Sequence, residues 1–212
     1  IAPLFSTDEI QFSVLEINKD SLDSAKKLIE ALELTQYVKE YHLADAVTFK
    51  VPNATSYHIL FSETLDALLY RECYVPILFN MLPQFREDIT LIPENVLVDA
   101  CLLTNSTQTQ NYKEDKLSNI VDARKAVSLN KGQAMPSQLE AIKIDFDAIN
   151  MTPYKVMLLD TKVQVYKDIW LDRNESSLTI PLEMEIVHPF QQKAIVFTYQ
   201  MEPDIELKCA MM

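Results

Sequence analysis

The hydrophobic pattern of this chain changes period once, near Ile92, and that change limits the folds open to it. Before it, short apolar runs each end near an acid, and one is followed by a helical repeat. After it, apolar and polar residues alternate at period two. Two periods in succession call for an α/β part followed by a β part.

In the first part, residues 10–17 (IQFSVLEI) predict a strand with Glu16 near its carboxyl end. Asn18, Lys19 and Asp20 supply capping chemistry, and Leu22, Ala25, Leu28, Ile29 and Leu32 recur at helical spacing to about Leu34. A second strand is expected over residues 38–43, ending in Ala44-Asp45-Ala46, and a third over residues 57–61, stopping at Ser62-Glu63. Three such strands and one intervening helix describe part of a parallel, doubly wound sheet, which binds ligands at the carboxyl ends of its strands. Residues 74–85 read as a buried helix. Pro76 fits only in its first turn, so the helix starts near Cys73 or Tyr74 and Glu72 stands at its N-terminus, where an anion is favoured.

The second part, residues 93–212, follows a turn at Leu91-Ile92-Pro93 and opens on a strand near residues 96–103. Residues 104–110 are polar and 111–137 charged with scattered aliphatics, so a connection or arm is expected over 104–137. From Leu139 the alternation resumes. It runs through Ile142, Ile144 and Phe146, then Val163 and Val165, then Ile180, Leu182, Met184 and Ile186. Ile195, Phe197, Tyr199 and Met201 follow, and last Ile205, Leu207 and Cys209. An antiparallel barrel or sandwich is expected, with Thr179, Glu183 and Glu185 facing water. The predicted domains are therefore 1–92 and 93–212.

Composition narrows the chemistry. The 212 residues include one glycine, Gly132, where average usage of about 7% would supply roughly fifteen. No Gly-rich phosphate or cofactor loop can be built from this chain. It begins at Ile1, and a trimmed or processed chain is expected, with the first strand and its turn upstream. A net charge of -12 disfavours nucleic acid and favours basic or neutral partners. Cys73, Cys101 and Cys209 form no ligand spacing or disulfide framework, so free buried thiols, no metal site and a reducing, cytoplasmic setting are expected. No apolar run reaches the ~20 residues of a membrane helix, and no membrane association is expected.

Glu63 and Glu72 bracket a single excursion between a strand end and a helix start. A guanidinium, a planar fork of five donors, can be held by two carboxylates from two sides.

The order of these motifs resembles the protein arginine methyltransferases, which join a Rossmann-like domain for S-adenosylmethionine to a β-barrel domain. It runs VLEIN with Glu16, LADAVTF with Asp45, ILFSE opening a loop closed by YRE, a helix, LIPENVLVDA and a β domain. The resemblance covers residues 10–100 by motif and the remainder by architecture. It implies a methyltransferase in which Glu16 accepts hydrogen bonds from the ribose hydroxyls, Asp45 and Ala46 lie beside the adenine, and Glu63 and Glu72 hold the substrate guanidinium. The implied partners are a basic protein, a peptide or a small guanidino or amino compound, and a second copy in a homodimer. Thr64, Leu65 and Asp66 stand where that family usually carries a bulky aromatic, a methionine and a glycine. Thr152-Pro153-Tyr154-Lys155 lacks the histidine of its threonine-histidine-tryptophan element, and the Gly-rich turn is absent, so the chain alone is expected to be inactive. A second reading, a methyltransferase-like scaffold or dimerisation module, stands beside the first.

Overall fold

Asn18 starts the first helix by accepting backbone N–H groups on its side chain, from Asp20 at 2.9 Å and Ser21 at 3.1 Å. It links β1 (Phe12–Glu16) to α1 (Lys19–Ala31), which leads to β2 (Val38–Leu43). β1 and β2 pair in parallel with Glu16 opposite Leu43, so both strands end at the same level. Leu22 and Tyr37 are buried, and the Tyr37 hydroxyl donates to the Phe5 carbonyl at 2.7 Å.

The scarcity of glycine shows at the end of α1. Glu33 N–H donates to the Glu30 carbonyl and Leu34 N–H to that of Ile29, each at 2.9 Å. This is the paired closure that places the residue after the cap in the left-handed region. Glu33 holds that place at φ 56° and is exposed. Since a non-glycine residue in this region costs roughly 1–2 kcal/mol, Glu33→Gly is expected to stabilise this part of the chain by about 1 kcal/mol. Chemical denaturation followed by circular dichroism checks this, and a lower midpoint would contradict it.

The computed structural model describes residues 2–109 and 111–212, in two compact units divided between Pro52 and Asn53. The second unit opens with β3 (Ile59–Phe61), α2 (Tyr74–Met81) and β4 (Thr90–Ile92), the two strands pairing in parallel. Antiparallel pairing begins immediately afterwards, at the point where the period changes. β5 (Asn95–Leu103) lies between β6 (Glu114–Asp122) and β8 (Val156–Tyr166), and β8 also pairs with β9 (Ile169–Leu171) and β10 (Leu182–Glu185). A second sheet orders β12 (Glu206–Met211), β11 (Ala194–Gln200) and β7 (Ile142–Asp145). A short helix, α3 (Ala123–Leu129), follows β6 and is capped by the Asp122 side chain. One core unites α2 with both antiparallel sheets, and no closed barrel forms among the described residues.

Several expectations hold. α2 begins at Tyr74 with Pro76 in its first turn, and Ile195, Phe197, Tyr199 and Met201 are buried in alternation along and just beyond β11. Others are corrected. The expected three-strand parallel sheet is replaced by two parallel pairs, because β3 takes β4 as its partner. The segment 104–137 is no simple connection: its middle, residues 114–129, forms β6 and α3, and Gln110, like Ile1, lies outside the described residues. Ile180 precedes the four-residue β10, so strand alternation does not apply to it. Ile180 and Leu182 are exposed, while Thr179 is fully buried in a turn capped reciprocally with Ser176. Of the three free cysteines, only Cys101 is buried, and Cys209 is exposed.

The face of β5 and β8 turned away from the main core carries a charged cluster. On it Cys101, Leu103, Val156 and Leu158 pack under Tyr112. By alternation Asp99 and Asp160 share this face, and they stand opposite each other across the two strands, 2% and 1% exposed. Like charges in this relation repel. Two cations answer them: Lys116 reaches Asp99 at 2.7 Å, and Arg173 reaches Asp160 at 2.8 Å while bonding both oxygens of Glu114 at 2.8 and 3.0 Å. Burial works against the charged Arg173, but its bonds to Glu114 and Asp160 outweigh this and raise its pKa further. Burial and the adjacent Glu114 push the Cys101 thiol up to about 12, so it stays protonated and unreactive.

Candidate functional site

Two groups of the expected site residues lie in different units. In the first unit, Glu16 closes β1 and Asp45 lies just past β2, so the parallel register sets both carboxylates at the same end of the pair. Glu16 is half-buried, and its Oε1 accepts the Asn18 N–H at 2.7 Å. Its second oxygen has no partner among the described residues. Asp45 is exposed, with Oδ1 accepting the Val47 N–H at 2.8 Å and its carbonyl accepting from Phe49 at 2.8 Å. The half-buried Ala46 occupies the turn between these bonds. The site therefore offers an oxygen of Glu16 at the end of a parallel pair, where a ligand hydroxyl can donate to it.

In the second unit, Glu63 follows β3 and Glu72 precedes α2. Both are exposed, and neither carboxylate makes a hydrogen bond or ion pair among the described residues. The loop between them is nonetheless firmly built. Ser62 N–H extends the parallel ladder to the Ile92 carbonyl at 2.8 Å, and Leu65 N–H turns back to the Glu63 carbonyl at 2.7 Å. Asp66 accepts the Arg71 N–H at 2.7 Å and the Glu72 N–H at 3.4 Å. Leu68 and Leu69 sit at φ 61° and 56°, a region that disfavours leucine.

What holds them there comes from the antiparallel sheets. Leu68 N–H donates to Thr161 Oγ1 of β8 at 2.9 Å, and the Tyr199 hydroxyl of β11 donates to the Leu69 carbonyl at 2.9 Å. The Leu69 side chain is fully buried in the core. Burial raises the pKa of Tyr199, which keeps its hydroxyl a donor.

Asp66, Thr161 and Tyr199 thus shape the acid loop, although their sequence contexts mark them otherwise. Asp66 reads as surface, and Thr161 and Tyr199 lie in strands 90 or more positions away. A short polar side chain just before a turn is the one available signal for Asp66. For the two strand residues there is none, because a core tyrosine and an anchoring tyrosine share the same alternation. Thr152 lines a different cleft together with His188, whose Nε2 faces the Tyr154 carbonyl at 2.8 Å, while the Tyr154 hydroxyl bonds Asp115.

No protein-family model and no curated protein matches this chain. Solved structures do. Protein arginine methyltransferase 10 of Arabidopsis thaliana, described in an open conformation, superposes with a TM-score of 0.58 over 95% of this chain and 82% of its own. The chain has the protein arginine methyltransferase fold. The PRMT1 enzyme-prozyme heterotetramer of Trypanosoma brucei, solved with AdoHcy, superposes with a TM-score of 0.52 over 95% of this chain and 81% of its own. Sequence identities are 9% and 8%. The methyltransferase-like scaffold, α/β followed by antiparallel β, therefore persists here with almost no shared sequence.

Proposed function

We propose that this protein is an S-adenosylmethionine-dependent methyltransferase acting on a guanidino or amino nitrogen, with Glu63 and Glu72 as the carboxylates that bind it. The observation that carries this reading is a pair of unpartnered acids at the two ends of a loop anchored to the sheets. Free surface acids need no such anchoring. A guanidinium held from two sides keeps a fixed orientation, and its charge is drawn toward the nitrogens that face the carboxylates. The remaining nitrogen is presented for attack, and a carboxylate is placed to take up the proton it releases.

The cofactor, when bound, supplies an electrophilic methyl group. Glu16 fits its ribose, since one carboxylate oxygen is already fixed by Asn18 and the other is free to accept from a diol. Asp45 and Ala46 fit an adenine edge. The sole glycine, at Gly132, lies in neither parallel pair, so these residues offer no Gly turn for the cofactor's methionine end. That observation favours a second reading, a methyltransferase-like body kept as an interaction or dimerisation module. Free thiols and an acidic surface suit a cytoplasmic protein with a basic partner.

Two titrations separate the readings. An arginine-containing peptide is expected to bind, with affinity falling about ten-fold or more in Glu63→Gln and in Glu72→Gln as a charge-assisted pair is lost. S-adenosylhomocysteine binding, followed by calorimetry to about 1 mM, is expected to weaken in Glu16→Ala alone. Failure of both ligands to bind would leave the scaffold reading in place.

A further inference from the structure

An open cleft of about 450 Å³ lies in the second unit, between β4, the start of β5 and the end of β8. Its lining includes Arg124, Lys167, Glu94, Asn95, Gln164 and Tyr166. Arg124 is its unusual member. Its Nη1 is shielded from solvent and has no hydrogen-bond partner, and its guanidinium makes no ion pair among the described residues. In a chain of net charge -12 an arginine left without an acid is conspicuous, and a half-buried guanidinium with an unbonded nitrogen favours an added acceptor.

None of the acceptors beside it is bonded to its guanidinium among the described residues, and most of them serve other donors. Asn95 Oδ1 takes the backbone N–H groups of Val96 and Arg124, each at 2.9 Å, and the Glu94 carboxylate takes the Lys167 N–H at 2.8 Å. The Pro93 carbonyl takes the Tyr74 hydroxyl at 2.9 Å. Lys167 adds a second cation, its Nζ lying 4.7 Å from the centre of the Tyr166 ring. With Glu94 as the one acid against Arg124 and Lys167, the lining carries a net positive charge that is opposite in sign to the protein.

We infer that this cleft binds a small oxyanion, a carboxylate or a phosphate group on a compact organic body, through the Arg124 fork with Lys167 as a second cation. The volume suits a small ligand, and the Tyr166 ring offers it an apolar surface. A guanidinium matches either oxyanion in two-point fashion. The cleft contains none of the acids assigned above to cofactor or guanidinium, so its ligand is separate from both.

The test is an amide and arginine-Nε NMR titration of the whole chain with sodium benzoate and with inorganic phosphate, against sodium chloride at matched ionic strength. Saturable shifts confined to residues 89–95, 124 and 164–167 are expected. Arg124→Gln is expected to weaken the binding at least about ten-fold, the loss of one strong charged contact. Lys167→Ala weakens it less. Should Arg124→Gln unfold, Arg124→Lys keeps the charge without the fork and is expected to lose benzoate more than phosphate. Saturation by benzoate alone identifies a carboxylate ligand and by phosphate alone a phosphate ester. Shifts that match the chloride control, or that persist in both Arg124 variants, overturn the assignment.

Discussion

Arg173→Ala is expected to destabilise the second unit by about 3–5 kcal/mol, because it strips the cation from a buried carboxylate. Asp160 is 1% exposed and its Oδ1 lacks a partner, so among the described residues only the Arg173 bonds to its other oxygen compensate its charge. For a chain of this size such a loss corresponds to a fall in Tm of about 6–20 °C. Trp170, the single tryptophan, pairs with Gln164 of β8 in the same sheet and reports the transition by fluorescence. Arg173→Met combined with Asp160→Leu is expected to recover much of the loss, since an apolar pair of similar volume replaces a buried ion pair at little cost. Equal stability of Arg173→Ala and the parent protein would show that water already compensates Asp160.

The same network sets an acid limit. The hydrogen bond from Arg173 lowers the pKa of Glu114 below its ordinary value. A carboxylate depressed in the folded state contributes stability that is complete above its unfolded pKa and is lost as pH falls through the folded one. The Tm of the parent should therefore decline below the usual carboxylate range. In Arg173→Ala this share of the decline should vanish.

Leu69→Ala is expected to cost about 2–5 kcal/mol, the range for truncating a buried leucine, and to weaken guanidinium binding at Glu63 and Glu72 as well. Tyr199→Phe removes only the hydroxyl that serves the Leu69 carbonyl, and leaving that carbonyl unpaired should cost about 1–3 kcal/mol. The pair separates packing from anchoring. If the loop positions the acids, both variants lose affinity for an arginine peptide at temperatures where each remains folded. If Tyr199→Phe loses stability but binds as before, the acids do not depend on their anchor. Leu69→Gly adds a third reading: it relieves the strain of a leucine at φ 56°, so it should fall less far below Leu69→Ala than the further loss of side chain alone would suggest.

Much of this architecture can be read from periodicity. The β1–α1–β2 unit follows from a capped helical repeat between two apolar runs, and β11 from four alternating residues buried to a man. The start of α2 follows from Pro76. β4 escapes because three residues before a proline look like a turn. β6 and α3 escape for a different reason: Leu117, Ile120, Val121 and Val127 straddle a switch from strand to helix, so neither period fits all four. The acids of the site are visible because their chemistry is local. Their supports are not, since Tyr199 and Thr161 act through long-range hydrogen bonds that leave no mark on spacing.

The loop that joins Glu63 to Glu72 lends its middle to the sheets: Leu68 gives an N–H to β8, and Leu69 gives a carbonyl to β11 and a side chain to the core. A surface excursion attached only at its ends can fray by itself. This one must break two bonds to separate strands and wet a core leucine before it opens, which ties it to their cooperative unfolding. The spacing of the two acids therefore has the lifetime of the sheets rather than that of a loop.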